Sequence, residues 1–114
     1  MDECIFCRIA GEKTPERIFE NRNFFSIFDI NQKIPGHALL ISKKHFENVL
    51  EMPATMGSEL FDCVKNTALK LMEKYHAGGF NIINNTFESA GQIVKHVHFH
   101  ILPRKEGDGL KIIS

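Results

Sequence analysis

The chain has 114 residues, 43% of them hydrophobic and ten of them phenylalanine, so it is expected to fold as one domain, residues 1–114, around its own core. Lysine plus arginine equals aspartate plus glutamate at 14 each, which argues against nucleic acid as a partner, since duplex-binding domains carry a basic excess. No stretch approaches the roughly 20 apolar residues of a membrane span, the acidic opening Met1-Asp2-Glu3 lacks signal-peptide character, and three cysteines do not make a disulfide framework; the expected setting is cytoplasmic, with nuclear access in a eukaryote and no membrane partner.

Asp2 is suited to cap a short helix over Glu3–Ala10, which Gly11 would end. Arg17–Glu20 reads as a strand, Asn21-Arg22-Asn23 as a turn, and Phe24–Asp29 as the returning strand of a hairpin. Pro35-Gly36 breaks the chain, and Ala38–Ile41 is a short apolar run fit for a buried strand. Met56, Leu60, Val64, Ala68, Leu71, Met72 and Tyr75 recur at spacings of three and four, predicting a long amphipathic helix capped by Thr55 and stopped by Gly78-Gly79. Phe80–Asn84 and Val97–Leu102 read as two more strands, the last closed by Pro103. The fold class is therefore α+β, with a five-stranded, mainly antiparallel sheet, one long helix and one short helix.

Half of the six histidines fall within His96-Val97-His98-Phe99-His100. On a strand, alternate side chains share a face, so the three imidazoles would line one side while Val97, Phe99 and Ile101 turn to the core. Three aligned imidazoles could bind zinc through three nitrogens, or carry nucleophilic and proton-transfer chemistry, since an imidazole titrates near neutral pH. Cys4 and Cys7 have the spacing of two zinc ligands, though a zinc site needs two more; an idle pair of core thiols is the rival reading. No glycine-rich phosphate loop is present, and no organic cofactor is implied.

The stretch from Ala90 to Arg104, with Gly91-Gln92 ahead of the three histidines, resembles the signature of the histidine triad (HIT) family. Cys4-Ile5-Phe6-Cys7, Phe28-Asp29-Ile30, Pro35-Gly36-His37, Lys43-Lys44-His45 and Asn84-Asn85 resemble further landmarks of that family, in order along nearly the whole chain. The resemblance implies a HIT-like fold and cleavage at a nucleotide α-phosphate through a covalent nucleotidyl-histidine. It assigns His98 as nucleophile, with His96, His100 and His37 completing the catalytic set. It places Asp29 on the ribose hydroxyls, Ile30 with Phe28 or Ile27 against the base, and Asn85 and Gln92, with His98 and His100, on phosphate. It completes a structural zinc site of Cys4 and Cys7 with His45 and His96. One departure is Ile93, where many relatives place Ser or Thr, so a phosphate hydrogen bond is missing.

The opening cysteine pair, Asp29-Ile30 and Lys43-Lys44-His45 look Hint-like, which implies a purine nucleoside phosphoramidase acting on AMP- or GMP-type nucleotides and assembled as a homodimer. The wording around Lys95 and Leu102–Asp108 looks Fhit-like, the mark of diadenosine polyphosphate hydrolases. With no tryptophan and a single tyrosine, Tyr75, a platform for a second base is not evident. A nucleotide-binding regulatory module with weak turnover is the reading from a different class.

Overall fold

The computed structural model describes residues 4–113. A helix α1, Ile5–Ala10, precedes three strands, β1 Phe19–Glu20, β2 Phe24–Phe28 and β3 Ala38–Ser42. The long helix α2, Gly57–Tyr75, follows, then β4 Gly79–Ile83 and β5 His98–Arg104. The strands form one sheet in the order β1-β2-β3-β5-β4, every neighbour antiparallel. This is the α+β, five-stranded architecture read from the sequence.

The two faces of the sheet separate by alternation. Phe24, Ala38, Leu40 and Ile101 pack with Cys63, Val64, Ala68 and Leu71 of α2. Phe25, Ile27, Leu39 and Ile41 face the other way and take Phe6 of α1. The register sets His98 opposite Ile41 and His100 opposite Leu39, which puts both histidines on the α1 face while Phe99 pairs with Leu40 on the α2 face. β5 is thus the sheet's dividing strand: its even positions hold the imidazoles and its odd positions hold the core.

Several boundaries differ from expectation, each for a local reason. Asp2 lies outside the described residues; Cys4 occupies the N-cap of α1, its Sγ accepting the Cys7 N–H at 3.3 Å. Thr55 does not cap α2, because a 3₁₀ turn over Ala54–Met56 absorbs it before the helix begins. The helix ends not at the glycine pair but at His76, which adopts the left-handed conformation (φ 54°, ψ 42°) and returns its N–H to Met72; Gly79 already belongs to β4. Arg17 and Ile18 fall outside β1, although the Ile18 N–H bonds the Ser26 carbonyl at 2.7 Å.

The last strand starts later and runs further than its sequence suggests. Val97 donates to the Phe46 carbonyl at 2.7 Å instead of joining a ladder, so His96 sits in a bend ahead of the strand. Pro103 does not close β5 but pairs with Phe80 inside it. β3 has ended by then, at Ala38 opposite Ile101, so a proline with no N–H leaves no ladder bond unmade on that side. No helix among the described residues is long and apolar enough to cross a membrane.

Candidate active site and metal centre

His98 and His100 point from β5 into a cleft of about 620 Å³ between the sheet, α1 and the loop that joins β2 to β3. His98 is 8% exposed, and its Nδ1 lies 2.7 Å from the His96 carbonyl oxygen. A carbonyl only accepts, so Nδ1 carries the proton and the lone pair resides on Nε2, the atom left for the cleft. The Phe6 ring meets the His98 ring edge-on at 5.1 Å and the His96 ring at 5.8 Å, fixing both planes from the α1 side.

A second assignment of protons runs through His37 and His100. The Lys33 backbone N–H donates to His37 Nδ1 at 3.1 Å, which requires the proton of that ring to be on Nε2. His37 Nε2 then donates to His100 Nδ1 at 3.0 Å, with Asp29 Oδ2 at 3.4 Å. His100 is left with its proton on Nε2. His98 therefore offers a lone pair and His100, with its ring 5.4 Å away, offers a donor. Burial holds His37 below the ordinary imidazole range and pushes His100 down to about 4, with the neighbouring His98 and His37 adding to the effect. Both rings are neutral at pH 7, so they act as hydrogen-bond donors and not as cations.

Asp29 follows β2, its carboxylate 17% exposed and shared between the Asn31 N–H and His37. Ile27 and Ile30 line the same cleft, Ile30 92% exposed at its mouth. Phe28 also borders it, but as the next residue along the strand its ring turns to the α2 face, edge-on to Tyr75 at 6.3 Å, so of the two expected base contacts it is Ile27 that faces the slot. Ile93, 89% exposed, stands on the same rim. Two bare isoleucines flanking an apolar cleft describe a slot for a flat apolar body. Sequence reasoning missed much of the wall: Phe6 and Ile9 from α1, Leu39 from β3, Val94, and Lys33 all line it. An alternation signal in Ala38–Ile41 marked Leu39 as facing opposite to Leu40, but nothing local showed that α1 would roof that face.

Two expected phosphate ligands are not brought to the cleft. Gln92 is buried, with its amide nitrogen donating to the Glu47 and Val94 carbonyls and its oxygen accepting the Phe87 N–H at 2.8 Å. All its polar capacity toward this loop is bound to backbone, and it lines a smaller neighbouring cleft with Glu47, Phe87 and Lys95. Asn85 is not among the residues that line the cleft, although its Nδ2 lies beside Gly91, where a Cβ would stand 3.8 Å from it. Segment 91–95 is divided between the two clefts: Gly91, Ile93 and Val94 border the histidine cleft, Gln92 and Lys95 the other.

His96 faces away from this chemistry. Its Nδ1 lies 3.2 Å from Cys4 Sγ, 3.6 Å from Cys7 Sγ and 3.2 Å from His45 Nδ1, while Cys7 Sγ lies 3.2 Å from His45 Nδ1. A tetrahedral zinc ion with ordinary bond lengths separates its ligands by about 3.4 Å (N···N) and about 3.6 Å (S···N), and all four donor atoms here fall within 4.8 Å of one another. His96 Nε2 donates to the Ser42 carbonyl at 2.8 Å, which leaves Nδ1 unprotonated and free to ligate. Burial and the adjacent Cys4 push the Cys7 thiol up, an opposition that a bound cation would reverse. The set fits zinc. Asp29, His37 and His100 also cluster within 4.8 Å, but the Lys33 N–H on His37 Nδ1 keeps a proton on the nitrogen that would have to ligate, so that cluster is a hydrogen-bonded relay.

Comparison with known proteins agrees with this geometry. The HIT domain family matches residues 10–107. An uncharacterised HIT-like protein of Methanocaldococcus jannaschii is 42% identical over 107 residues, 93% of this chain and 82% of that one. The adenosine 5'-monophosphoramidase of Candida albicans is 34% identical over 115 residues, 96% of this chain and 76% of that one. Among solved structures, a zinc-bound histidine triad family protein from Mycobacterium smegmatis superposes with a TM-score of 0.87 at 35% identity, covering 96% of this chain and 81% of that one.

Proposed function

This chain belongs to the HIT domain family, and from that premise and the geometry of the cleft we propose that it is a nucleotidyl hydrolase, cleaving at the α-phosphate of purine nucleotide derivatives such as adenosine 5'-phosphoramidates. The single observation that carries the reading is the pair of opposed proton assignments: a lone pair on His98 Nε2 beside a donor on His100 Nε2.

The steps follow from those atoms. His98 Nε2 attacks the α-phosphorus, a P–N bond forms, and the bond to the leaving group breaks as its electron pair departs. An amine leaving group takes up a proton from solvent in the open cleft as it goes, and the water that later attacks returns one to solvent. Positive charge that grows on the His98 ring is met by the His96 carbonyl at Nδ1. The His100 donor, backed by His37 and the Lys33 N–H, faces the non-bridging phosphoryl oxygens, where charge gathers in the transition state. Water then attacks the phosphorus of the nucleotidyl-histidine, releases the nucleoside monophosphate and returns His98. The base lies between Ile27 and Ile30, with Asp29 accepting from the ribose.

Cys4, Cys7, His45 and His96 would hold a structural zinc ion, which would fasten α1 to the bend before β5; the same elements carry Phe6 and the His96 carbonyl to His98. The working unit is a homodimer. Edge strand β4 exposes Phe80 and Ile82, and α2 exposes Phe61 at 63% and Leu69 at 60%, an apolar surface suited to a second copy. The test of the central claim is mass spectrometry of a quenched reaction, which should find nucleotide on His98. His98→Ala should fold yet lose turnover by at least about 10³-fold, with added imidazole partly restoring His98→Gly. An adduct on His96 or His100 refutes the assignment.

A further inference from the structure

Seventeen residues line the histidine cleft, and Lys33 is the one lysine or arginine among them. It is exposed, and among the described residues no carboxylate lies within ion-pair distance of its ammonium. Asp29, the one acid on the wall, is occupied by the Asn31 N–H and by His37. The histidines of the relay are neutral, and the position after Gln92 is Ile93, which has no hydroxyl. Any negative charge that a substrate brings beyond its own α-phosphate therefore meets a single counter-charge in this cleft.

Lys33 also occupies a defined place along the row of groups. From the nucleophile the order is His98, His100, His37, Lys33, linked by a ring contact of 5.4 Å and hydrogen bonds of 3.0 and 3.1 Å. The Lys33 backbone thus anchors the end of the row remote from the attacking nitrogen, and the residue lines the same cleft. Its charge reaches back to both His37 and His100, opposing protonation of each after burial has done so.

We propose that Lys33 is a specificity-determining residue that favours substrates releasing a small tetrahedral oxyanion, sulfate or phosphate, over substrates releasing an amine. This rests on the nucleotidyl-hydrolase reading above. The chemistry differs between the two classes. An amine leaves only once it gains a proton, and a fixed cation beside it adds nothing. Sulfate or phosphate leaves as a stable anion without protonation, and the charge arriving on its oxygens in the transition state is what an ammonium stabilises. The bond from His98 to phosphorus forms and the phosphorus–oxygen bond breaks, its electron pair leaving on the sulfate or phosphate oxygen.

The experiment measures kcat/KM of the wild type, Lys33→Met and Lys33→Arg with adenosine 5'-phosphosulfate, ADP and adenosine 5'-phosphoramidate. The expected result is that Lys33→Met lowers the ratio of phosphosulfate to phosphoramidate kcat/KM by at least about tenfold, or 1.4 kcal/mol of barrier, and that Lys33→Arg restores most of it. Raising the salt from 0.05 to about 0.5 M should shrink the wild-type ratio and leave that of Lys33→Met flat. The ADP arm separates phosphate from sulfate as the anion favoured. A loss shared equally by all substrates, or no change in the ratio, overturns the proposal. If the wild type turns over none of them, the hydrolase reading fails, and calorimetric affinities for adenosine 5'-phosphosulfate against AMP decide the Lys33 assignment: it stands only if Lys33→Met weakens the former selectively.

Discussion

Lowering the pH should destabilise this protein through His100, and the size of the effect can be worked out. The folded ring titrates at about 4, whereas an unfolded imidazole titrates near 6.5. The folded state therefore binds fewer protons than the unfolded chain between these values, so stability is full above pH 6.5 and falls as pH drops toward 4. Between pH 7.5 and 4.5 the integrated loss from this one group has a ceiling of about 2.5 kcal/mol. His100 is half-buried beside an open cleft, and water there screens the effect, so about 1 to 2 kcal/mol is expected. Replacement with asparagine removes the titrating ring and keeps a side chain that hydrogen-bonds. Urea unfolding of wild type and His100→Asn at both pH values isolates the contribution, because the shifts of the other histidines largely cancel in the difference. The variant should lose less stability on acidification by that amount. Equal losses in the two proteins would show that His100 is not held neutral by its surroundings, and its assignment as an uncharged donor would fall.

Three other outcomes follow from the geometry. Gly36 adopts φ +89°, and a Cβ there would stand 2.8 Å from Pro103 Cγ and from the Tyr75 ring, so Gly36→Ala should cost about 3 kcal/mol and lower Tm by more than about 10 °C, read by calorimetry. Protein purified without chelator should contain one zinc per chain by elemental analysis, and Cys4→Ser should lose it with a fall in Tm; an absence of zinc together with an unchanged Tm would leave the four donors as an idle cluster. Light scattering at micromolar concentration should give twice the 13.0 kDa chain mass, with Ile82→Lys on the β4 edge shifting it toward the monomer, and a wild-type monomer would contradict the proposed assembly.

Most of the fold could be read from local pattern because the strong elements are strongly periodic. Val64, Ala68 and Leu71 form a helical stripe and are buried; Ala38–Ile41 is an apolar run and forms the central strand. Boundaries went astray where a tertiary partner replaced a local signal. A sulfur served as the helix cap at Cys4, and a strand absorbed Pro103 because its neighbour had already ended. The triad was legible as alternation, whereas the separate employment of its first member was legible only through the family resemblance, which set His96 with Cys4, Cys7 and His45; no local pattern shows it, since it depends on where α1 brings the cysteines. The burial of Gln92 was equally invisible. An amide that could face phosphate or backbone has the same sequence signature either way, and here three backbone partners within reach decide the matter. The cleft walls from α1 required knowing that a six-residue helix lies across the sheet, which no pattern within it specifies.

The bond from His98 to the His96 carbonyl separates two demands made on position 96. Holding the nucleophile's tautomer is work for the main chain, and any residue with the same backbone path can perform it. The imidazole at that position answers instead to Cys4, Cys7, His45 and Ser42. The two can therefore be uncoupled by substitution: a side chain that cannot ligate would empty the metal centre while keeping the carbonyl in sequence next to the nucleophile. A motif that looks like one repeated letter is in this sense two tenancies on one strand: a pair that shares the cleft, and a first member held by the thiols, His45 and the Ser42 carbonyl.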